Sequence, residues 1–185
     1  MIRKHCAFLV RTMQATLKAK NQTFAFAVQH GESLLYAGAR EGLELPYGCA
    51  TGTCGTCRVR SVRGNPMHAW PDAPGQRGQW RPCDLLLCQS IITDDVELET
   101  DKIIYRADPG ACLPDYRMAQ IAETRALAPD MLALRLALDQ PLSYEAGQFV
   151  AVKVSGIAGF RVYSITNFAR ATRSIDLLVK RKPGG

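Results

Sequence analysis

Residues 46–57 read PYGCATGTCGTC and place three cysteines and three glycines within one short stretch of sequence. Thiols crowded onto so flexible a backbone suit a metal or redox centre better than a framework of disulfides. The whole chain has 185 residues and seven cysteines, and an odd number of cysteines cannot all pair with one another. This stretch therefore predicts a metal-binding or redox site.

The spacing of the cysteines narrows the kind of site. Cys49, Cys54 and Cys57 follow the pattern C-x4-C-x2-C, which is the spacing of plant-type [2Fe–2S] sites and requires a fourth, distant cysteine. Cys88 follows after thirty intervening residues, in the apolar run LLLCQS, and residues 85–92 read as a buried strand. We therefore predict that these four cysteines are the metal ligands.

The glycines of this stretch suit the same site. An iron–sulfur cluster with four thiolates carries net negative charge and is stabilised by backbone N–H groups that point at its sulfurs. Such a wrap needs positive φ and a close approach of main chain to sulfur, which Gly48, Gly52 and Gly55 permit. The small residues between them leave room for the cluster.

Other metal sites fit the spacing less well. A four-cysteine zinc site usually consists of two C-x2-C pairs, whereas here a single pair has one cysteine upstream and one downstream. Rieske ligation needs two histidines, each near a cysteine, and the three histidines are not so placed: His5, His30 and His68. A zinc-stabilised binding module remains as a minor alternative. The other cysteines are expected to be small buried hydrophobes or incidental thiols, namely Cys6, Cys83 and Cys112.

The net charge of +6 does not predict a nucleic-acid partner, because residues 1–20 contain five basic residues and no acidic one and so carry most of it. Residues 1–13 read as an N-terminal extension, either a basic or weak targeting segment or the product of a misassigned start, with Met13 a plausible true beginning. No run of 18 apolar residues occurs, so no membrane segment is expected. We predict a cytoplasmic protein.

The first half of the chain reads as a small mixed α+β domain. Residues 23–28 alternate apolar side chains with a period of two, which predicts a strand in a hairpin with residues 14–20. A helix is predicted over residues 32–42, capped by Ser33 and ended by Gly42. Further strands are predicted over residues 57–62, 85–92 and 96–99. One helix across a small mixed sheet is the expected layout.

Residues 14–106 resemble the plant-type ferredoxin domain, which has a β-grasp fold. The motifs that carry the resemblance are LPYGCATGTCGTC, from residue 45, and LLLCQ, from residue 85. In that family the cluster passes single electrons. The resemblance implies the same role for the cluster predicted at the four cysteines.

A linker is predicted over residues 107–115, where two prolines and a glycine interrupt any periodic pattern. Beyond it, short strand-like segments separated by turn residues indicate an antiparallel barrel or sandwich. The predicted strands cover residues 116–124, 131–138, 148–154, 161–166 and 174–181. No arrangement of a nucleophile with a histidine occurs there, so we assign no catalytic residue.

Residues 161–164, RVYS, are the most informative part of the second half. On one strand Arg161 and Tyr163 point the same way and Ser164 the other, which places a guanidinium, an aromatic face and a hydroxyl close together. With GQF at residues 147–149 and PGG at residues 183–185, this half resembles the flavin-binding barrel of the ferredoxin–NADP reductase superfamily.

That resemblance implies roles for individual residues in binding FAD. Arg161 holds the FAD pyrophosphate, Tyr163 packs on the isoalloxazine ring and Ser164 lies near the reactive ring nitrogen. Lys180 is a secondary contact of the cofactor. The phosphate-binding turn would open with Gly184 and Gly185.

A β-grasp ferredoxin domain followed by such a barrel resembles the reductase component of bacterial multicomponent oxygenases. In that family NADH reduces FAD by two electrons, and the cluster delivers them singly to an oxygenase component or an intermediate acceptor protein. The resemblance implies an oxidoreductase that uses FAD and a [2Fe–2S] cluster. The alternative is a non-enzymatic, ferredoxin-like electron carrier with a vestigial flavin barrel.

The family continues beyond the point at which this sequence stops. It adds the last barrel segment and an α/β nicotinamide-binding domain, and no glycine-rich strand–turn–helix fingerprint occurs in these 185 residues. We therefore expect residues 116–185 to form a partial FAD-binding barrel that binds FAD weakly or not at all. NADH is expected as a partner only if the missing domain is present.

Overall fold

The computed structural model describes residues 12–77 and 81–181. The chain divides between Leu113 and Pro114 into two compact units, and this division falls inside the predicted linker. Among the described residues, no helix has the length and apolar character that crossing a bilayer demands.

The first unit contains one described α-helix, α1 (Leu34–Arg40), and a five-stranded mixed sheet in the order β2-β1-β8-β4-β6. Strands β1 and β8 are parallel, and the other neighbours are antiparallel. The strands are β1 (Met13–Lys18), β2 (Thr23–Val28), β3 (Leu43–Glu44), β4 (Arg58–Arg63), β5 (Met67–His68), β6 (Asp84–Leu86), β7 (Ser90–Ile91), β8 (Val96–Glu99) and β9 (Tyr105–Arg106). The predicted layout of one helix with a mixed sheet is confirmed.

The predicted hairpin is formed by β1 and β2. Lys18 pairs with Thr23, and the Ala19 N–H donates to the carbonyl oxygen of Gln22, which closes the turn. Alternate side chains of both strands are buried, as the period of two requires: Ala15, Leu17, Phe24, Phe26 and Val28. This face of the hairpin forms part of the core of the first unit.

The helix α1 begins and ends as the sequence predicts. Ser33 Oγ accepts a hydrogen bond from the Tyr36 N–H at 3.4 Å, which satisfies one of the N–H groups left free at a helix start. Gly42 adopts a φ of +75° just after the helix, a conformation that glycine reaches without strain. The buried face consists of Leu34, Leu35, Ala37 and Gly38.

Residues 85–92 do not form the single strand that we predicted. Strand β6 ends at Leu86, a 3-10 turn covers Leu87–Gln89, and the short strand β7 follows. The four consecutive side chains from Leu86 to Gln89 are all fully buried, whereas a strand would turn alternate side chains to opposite faces. The turn brings all four inward, and Cys88 is among them.

The start of β1 also differs from the prediction. Met13, which we placed in the N-terminal extension, pairs with Val28 at the beginning of β1. Its side chain is only 3% exposed. The first strand therefore includes Met13, because this apolar residue completes the buried face of the hairpin.

The second unit consists of antiparallel strands. A three-stranded sheet has the order β10-β11-β14, and β12 pairs with β13. The strands are β10 (Ala119–Ala128), β11 (Met131–Leu142), β12 (Phe149–Val152), β13 (Arg161–Ser164) and β14 (Thr172–Lys180). An isolated bridge joins Ile165 to Leu177, and residues 114–181 show no closed barrel. The buried core is Leu136, Leu138, Tyr144, Ile175 and Leu177.

A buried ion pair attaches α1 to the hairpin of the first unit. The Glu32 side chain is 2% exposed, and its Oε2 accepts the Gln29 N–H at 2.8 Å. Arg40 Nε donates to Glu32 Oε1 at 3.2 Å. Arg40 also donates from Nη2 to the carbonyl oxygen of Ala27 at 3.0 Å. The carboxylate thus ties the turn before α1 to the last turn of that helix.

We expect Glu32→Ala to lower the free energy of unfolding of the first unit by about 1.5–3 kcal/mol, because it removes hydrogen bonds to a buried charge. The matched control, Glu97→Ala, breaks an exposed ion pair with Arg63 and should cost at most about 1 kcal/mol. Urea denaturation followed by tryptophan fluorescence measures both, since Trp70 belongs to the first unit and no tryptophan follows residue 80 in the sequence. Equal losses in the two variants would contradict this account.

Candidate functional site

The cysteine-rich loop, residues 48–57 and here called the cluster loop, connects β3 to β4. Three of its residues adopt a positive φ: Ala50 at 53°, Gly52 at 82° and Gly55 at 75°. Such left-handed steps turn successive N–H groups toward one side and form a concavity for anions. Gly52 and Gly55 take the positive φ that we predicted, whereas Gly48 does not and the non-glycine Ala50 does.

The sulfur of Cys49 lies inside this concavity. Three backbone N–H groups donate to Cys49 Sγ, from Thr51 at 3.4 Å, Thr53 at 3.3 Å and Cys54 at 3.4 Å. Burial raises the pKa of Cys49, but hydrogen bonds from Thr51 and Thr53 outweigh burial and lower the pKa from 9.0 to about 5. The loop therefore favours a thiolate at Cys49, which is the form that binds metal.

Cys54 lies at the exposed side of the loop. Its Sγ donates to Thr56 Oγ1 at 3.2 Å and accepts the Thr56 N–H at 3.5 Å. Lys102, far along the chain, donates from Nζ to the carbonyl oxygen of Thr56 at 2.8 Å. A positive charge therefore lies beside the segment between Cys54 and Cys57.

Cys57 and Cys88 form a buried thiol pair with 3.3 Å between their sulfur atoms. The exposed fractions are 2% for Cys57 and 0% for Cys88. The hydrogen bond between the two sulfurs lowers the pKa of Cys57, whereas that same bond, burial and the charge on Cys57 raise the pKa of Cys88. The pair thus loses one proton readily and the second with difficulty, because two anions would then lie side by side.

The structure brings the predicted fourth ligand to the cluster loop and leaves the competing cysteine outside it. Cys83 is exposed, has a φ of 75° and accepts the Ser61 N–H through its backbone oxygen. Cys112 is also exposed, and Cys6 lies outside the described residues. Within residues 12–77 and 81–181, no three side chains of His, Cys, Asp or Glu are arranged to hold a single metal ion.

The chemistry of this loop fits a [2Fe–2S] cluster. The possible ligands are thiols. The loop favours the thiolate of Cys49, and Cys57 and Cys88 are paired in the core. The N–H groups aimed at Cys49 Sγ are the kind of donor that stabilises the negative charge of such a cluster.

In the second unit, Arg161 and Tyr163 line one pocket, with a volume of about 250 Å³. The antiparallel pairing of β12 and β13 places Val152 opposite Arg161, and Arg161 Nη1 donates to the carbonyl oxygen of Phe160 at 3.2 Å. The other lining residues are mostly apolar: Val152, Val154, Ile157 and Gly159. A guanidinium beside an aromatic and apolar wall suits a ligand that has a phosphate and a flat ring, as FAD does.

Two other predicted flavin contacts, Ser164 and Lys180, are not among the residues that line this pocket. Ser164 is exposed and pairs with Phe149 at the end of β13. Lys180 lies at the end of β14, in the three-stranded sheet, and its Nζ is 3.4 Å from Asp130 Oδ2. Gly184 and Gly185 lie outside the described residues.

Sequence reasoning missed several residues that contact the cluster loop. Lys102 carries no motif, and forty-six positions separate it from Thr56. Gln89 is fully buried next to Cys88, and Gly75 donates its N–H to the carbonyl oxygen of Gly52. The only signal in the sequence was Gln89 itself, the polar residue that ends the motif LLLCQ directly after the cysteine.

Each half of the chain matches a known protein family. Residues 17–93 match the 2Fe-2S iron-sulfur cluster binding domain, and residues 118–185 match the oxidoreductase FAD-binding domain. The chain joins these two domains. The predicted resemblance to a ferredoxin domain followed by a flavin domain is confirmed, and with it the predicted cofactors, a [2Fe–2S] cluster and FAD.

The relatives of this two-domain chain include the reductase component of an oxygenase system. It is 33% identical over 169 residues to the ferredoxin–NAD(+) reductase component of an alkene monooxygenase system from Xanthobacter autotrophicus, covering 89% of this chain and 50% of the relative. A ferredoxin–NAD(P)(+) reductase of Metapseudomonas resinovorans is 34% identical, with coverages of 84% and 47%. The chain spans about half the length of these relatives.

A solved structure supports the fold. The ferredoxin reductase in carbazole 1,9a-dioxygenase has a TM-score of 0.75 and 29% sequence identity with this chain. The match covers 95% of this chain and 52% of that one. The two-domain fold derived from the sequence is therefore shared with a known ferredoxin reductase.

Proposed function

We propose that this chain transfers single electrons from FAD through a [2Fe–2S] cluster to an oxygenase component or an intermediate acceptor protein. Cys49, Cys54, Cys57 and Cys88 are the proposed ligands. The observation that carries the proposal is the set of three N–H groups on Cys49 Sγ, together with the contact of Cys57 Sγ with Cys88 Sγ. When bound, FAD accepts a hydride and releases electrons one at a time, and the cluster accepts one electron.

The residues of the cluster loop hold and tune the one-electron centre. The N–H groups of Thr51, Thr53 and Cys54 stabilise added negative charge without requiring a proton. The buried thiols of Cys57 and Cys88 fix the inner side of the centre in the core. The exposed Cys54 leaves the outer side open to a partner protein.

The residues of the pocket in the second unit orient the flavin. We propose that Arg161 binds the FAD pyrophosphate, because a guanidinium matches phosphate oxygens in charge and geometry. Tyr163 lines the same pocket and offers an aromatic face for the isoalloxazine ring. Ser164, Lys180, Gly184 and Gly185 remain proposed FAD contacts. Weak binding of FAD also stays a prediction.

The partners of the whole protein are part of the proposal. One of the relatives named above is the ferredoxin–NAD(+) reductase component of an alkene monooxygenase system, and one further relative, from Pseudomonas putida, is named as the electron transfer component of a xylene/toluene monooxygenase. We propose an oxygenase system as the electron acceptor and NADH as the electron source of the full-length protein. The odd number of cysteines suits a reducing compartment such as the cytoplasm.

A ferredoxin-like carrier without flavin chemistry is less well supported. Residues 118–185 match an FAD-binding domain, and Arg161 and Tyr163 line one pocket. A domain without a flavin role has no need for a guanidinium and an aromatic ring in one apolar recess.

We expect Cys88→Ser to abolish most of the visible absorbance of the iron-loaded protein, because it removes the buried partner of Cys57. Cys83→Ser is the matched control, since Cys83 is exposed and only five residues away; it should retain the absorbance. Iron and labile sulfide are measured on both variants. If Cys83→Ser bleaches and Cys88→Ser does not, the proposed fourth ligand is wrong.

We expect Arg161→Ala to weaken the binding of FAD by at least about tenfold, because the loss of one charge-assisted contact to phosphate is worth more than about 1.4 kcal/mol. Titration of FAD fluorescence measures the dissociation constant. Arg125→Ala, on the exposed strand β10 of the other sheet, is the control and should leave the affinity unchanged. Equal affinities in all three proteins would argue against the proposed site.

A further inference from the structure

A second segment of the first unit, Ala73–Gln76, lies directly against the cluster loop. The Gly75 N–H donates to the carbonyl oxygen of Gly52 at 2.7 Å. A β-carbon added at Gly75 would lie 2.7 Å from Gly52 O and 2.9 Å from Gly55 N, which are both backbone atoms. Gly75 does not have a positive φ. Position 75 therefore requires glycine because two backbones approach each other closely there, and not because of its φ angle.

The cluster loop is held from a second direction by the residue after the fourth cysteine. A β-carbon added at Gly52 would lie 2.8 Å from Gln89 Cγ and 3.1 Å from Ala73 Cβ. Gln89 and Ala73 are both fully buried. The carbonyl oxygen of Gln89 accepts the Ala69 N–H at 2.7 Å. Gly52 is thus enclosed between the Ala73–Gln76 segment and Gln89.

The position of Gly52 controls two of the N–H groups that point at Cys49. Thr53 and Cys54 follow Gly52 directly, and both donate to Cys49 Sγ. Gly52 has a φ of 82°, so a shift of its carbonyl group rotates the peptide that carries the Thr53 N–H. A displaced Gly52 would therefore move these donors away from the sulfur.

We infer that Gly75 and Gln89 are positioning residues that set the reduction potential of the cluster through the N–H donors to Cys49. This inference rests on the proposed cluster. Hydrogen bonds to the sulfurs of iron–sulfur clusters are among the factors that set their potentials. N–H dipoles stabilise the reduced cluster, which carries one more negative charge, so their loss lowers the potential.

Gly75→Ala tests the inference in the full chain. The added methyl group must push Gly52 and Gly55 away from the Ala73–Gln76 segment. We expect the variant to retain its iron and sulfide but to show a more negative midpoint potential in a potentiometric titration. We also expect altered electron paramagnetic resonance of the reduced cluster and faster loss of iron to a chelator.

The matched control is Gly31→Ala. Gly31 has a φ of +77° and no atom within 4 Å of an added β-carbon, so the substitution introduces backbone strain in the same unit without touching the cluster loop. The unfolding free energy should fall in this control while the potential stays unchanged. An unchanged potential in Gly75→Ala, or an equal shift in Gly31→Ala, overturns the inference.

A second pair of variants keeps the test decisive if Gly75→Ala does not fold. Gln89→Ala removes the methylene that contacts Gly52, whereas Gln89→Met keeps a side chain of similar length. We expect a negative shift of the potential in Gln89→Ala and a smaller one in Gln89→Met, and equal shifts contradict the inference. An unmodified chain without iron and sulfide refutes the proposed function instead, so the two failures are distinguishable.

Discussion

The donation of backbone N–H groups to the sulfur of Cys49 is the interaction on which the first unit depends. It requires positive φ at Ala50, Gly52 and Gly55, and the loop contains no helix or strand of its own. The loop is therefore held from outside, by the buried segment around Gly75 and by Gln89. The mixed sheet and α1 provide the core on which those supports rest. A negatively charged centre in the cluster loop thus requires three features together: neutral N–H donors, glycines that let the backbone approach, and tight packing that holds the loop.

The two units handle negative charge by different means. The cluster loop uses neutral N–H dipoles, which add no net charge and stabilise the reduced centre, and the cation Lys102 lies at its edge. The pocket of the second unit places the full charge of Arg161 beside apolar side chains. A phosphate group carries a permanent charge and needs a permanent counter-charge, whereas the cluster changes its charge by one unit at each turnover. The difference follows from the ligands that the two units are proposed to bind.

Local sequence rules predicted those features that depend on neighbouring residues. The cap at Ser33, the end of α1 near Gly42 and the hairpin of β1 with β2 are of this kind, since each is decided within a few residues. The 3-10 turn at Cys88 was not predictable in this way, because apolar runs do not reveal whether successive side chains must all face inward. The contacts of Gly75 and Lys102 with the cluster loop were invisible for a related reason. They join segments far apart in sequence, and neither residue belongs to a recognisable motif.

The content of the cluster loop is the most direct test of the account. Iron, zinc and acid-labile sulfide are measured on the purified, anaerobically prepared chain, and the same sample is examined by electron paramagnetic resonance before and after reduction. The account predicts two irons and two sulfides per chain, no signal in the oxidised state and a signal from one unpaired electron after reduction. Zinc without sulfide, or a single iron per chain, would contradict it.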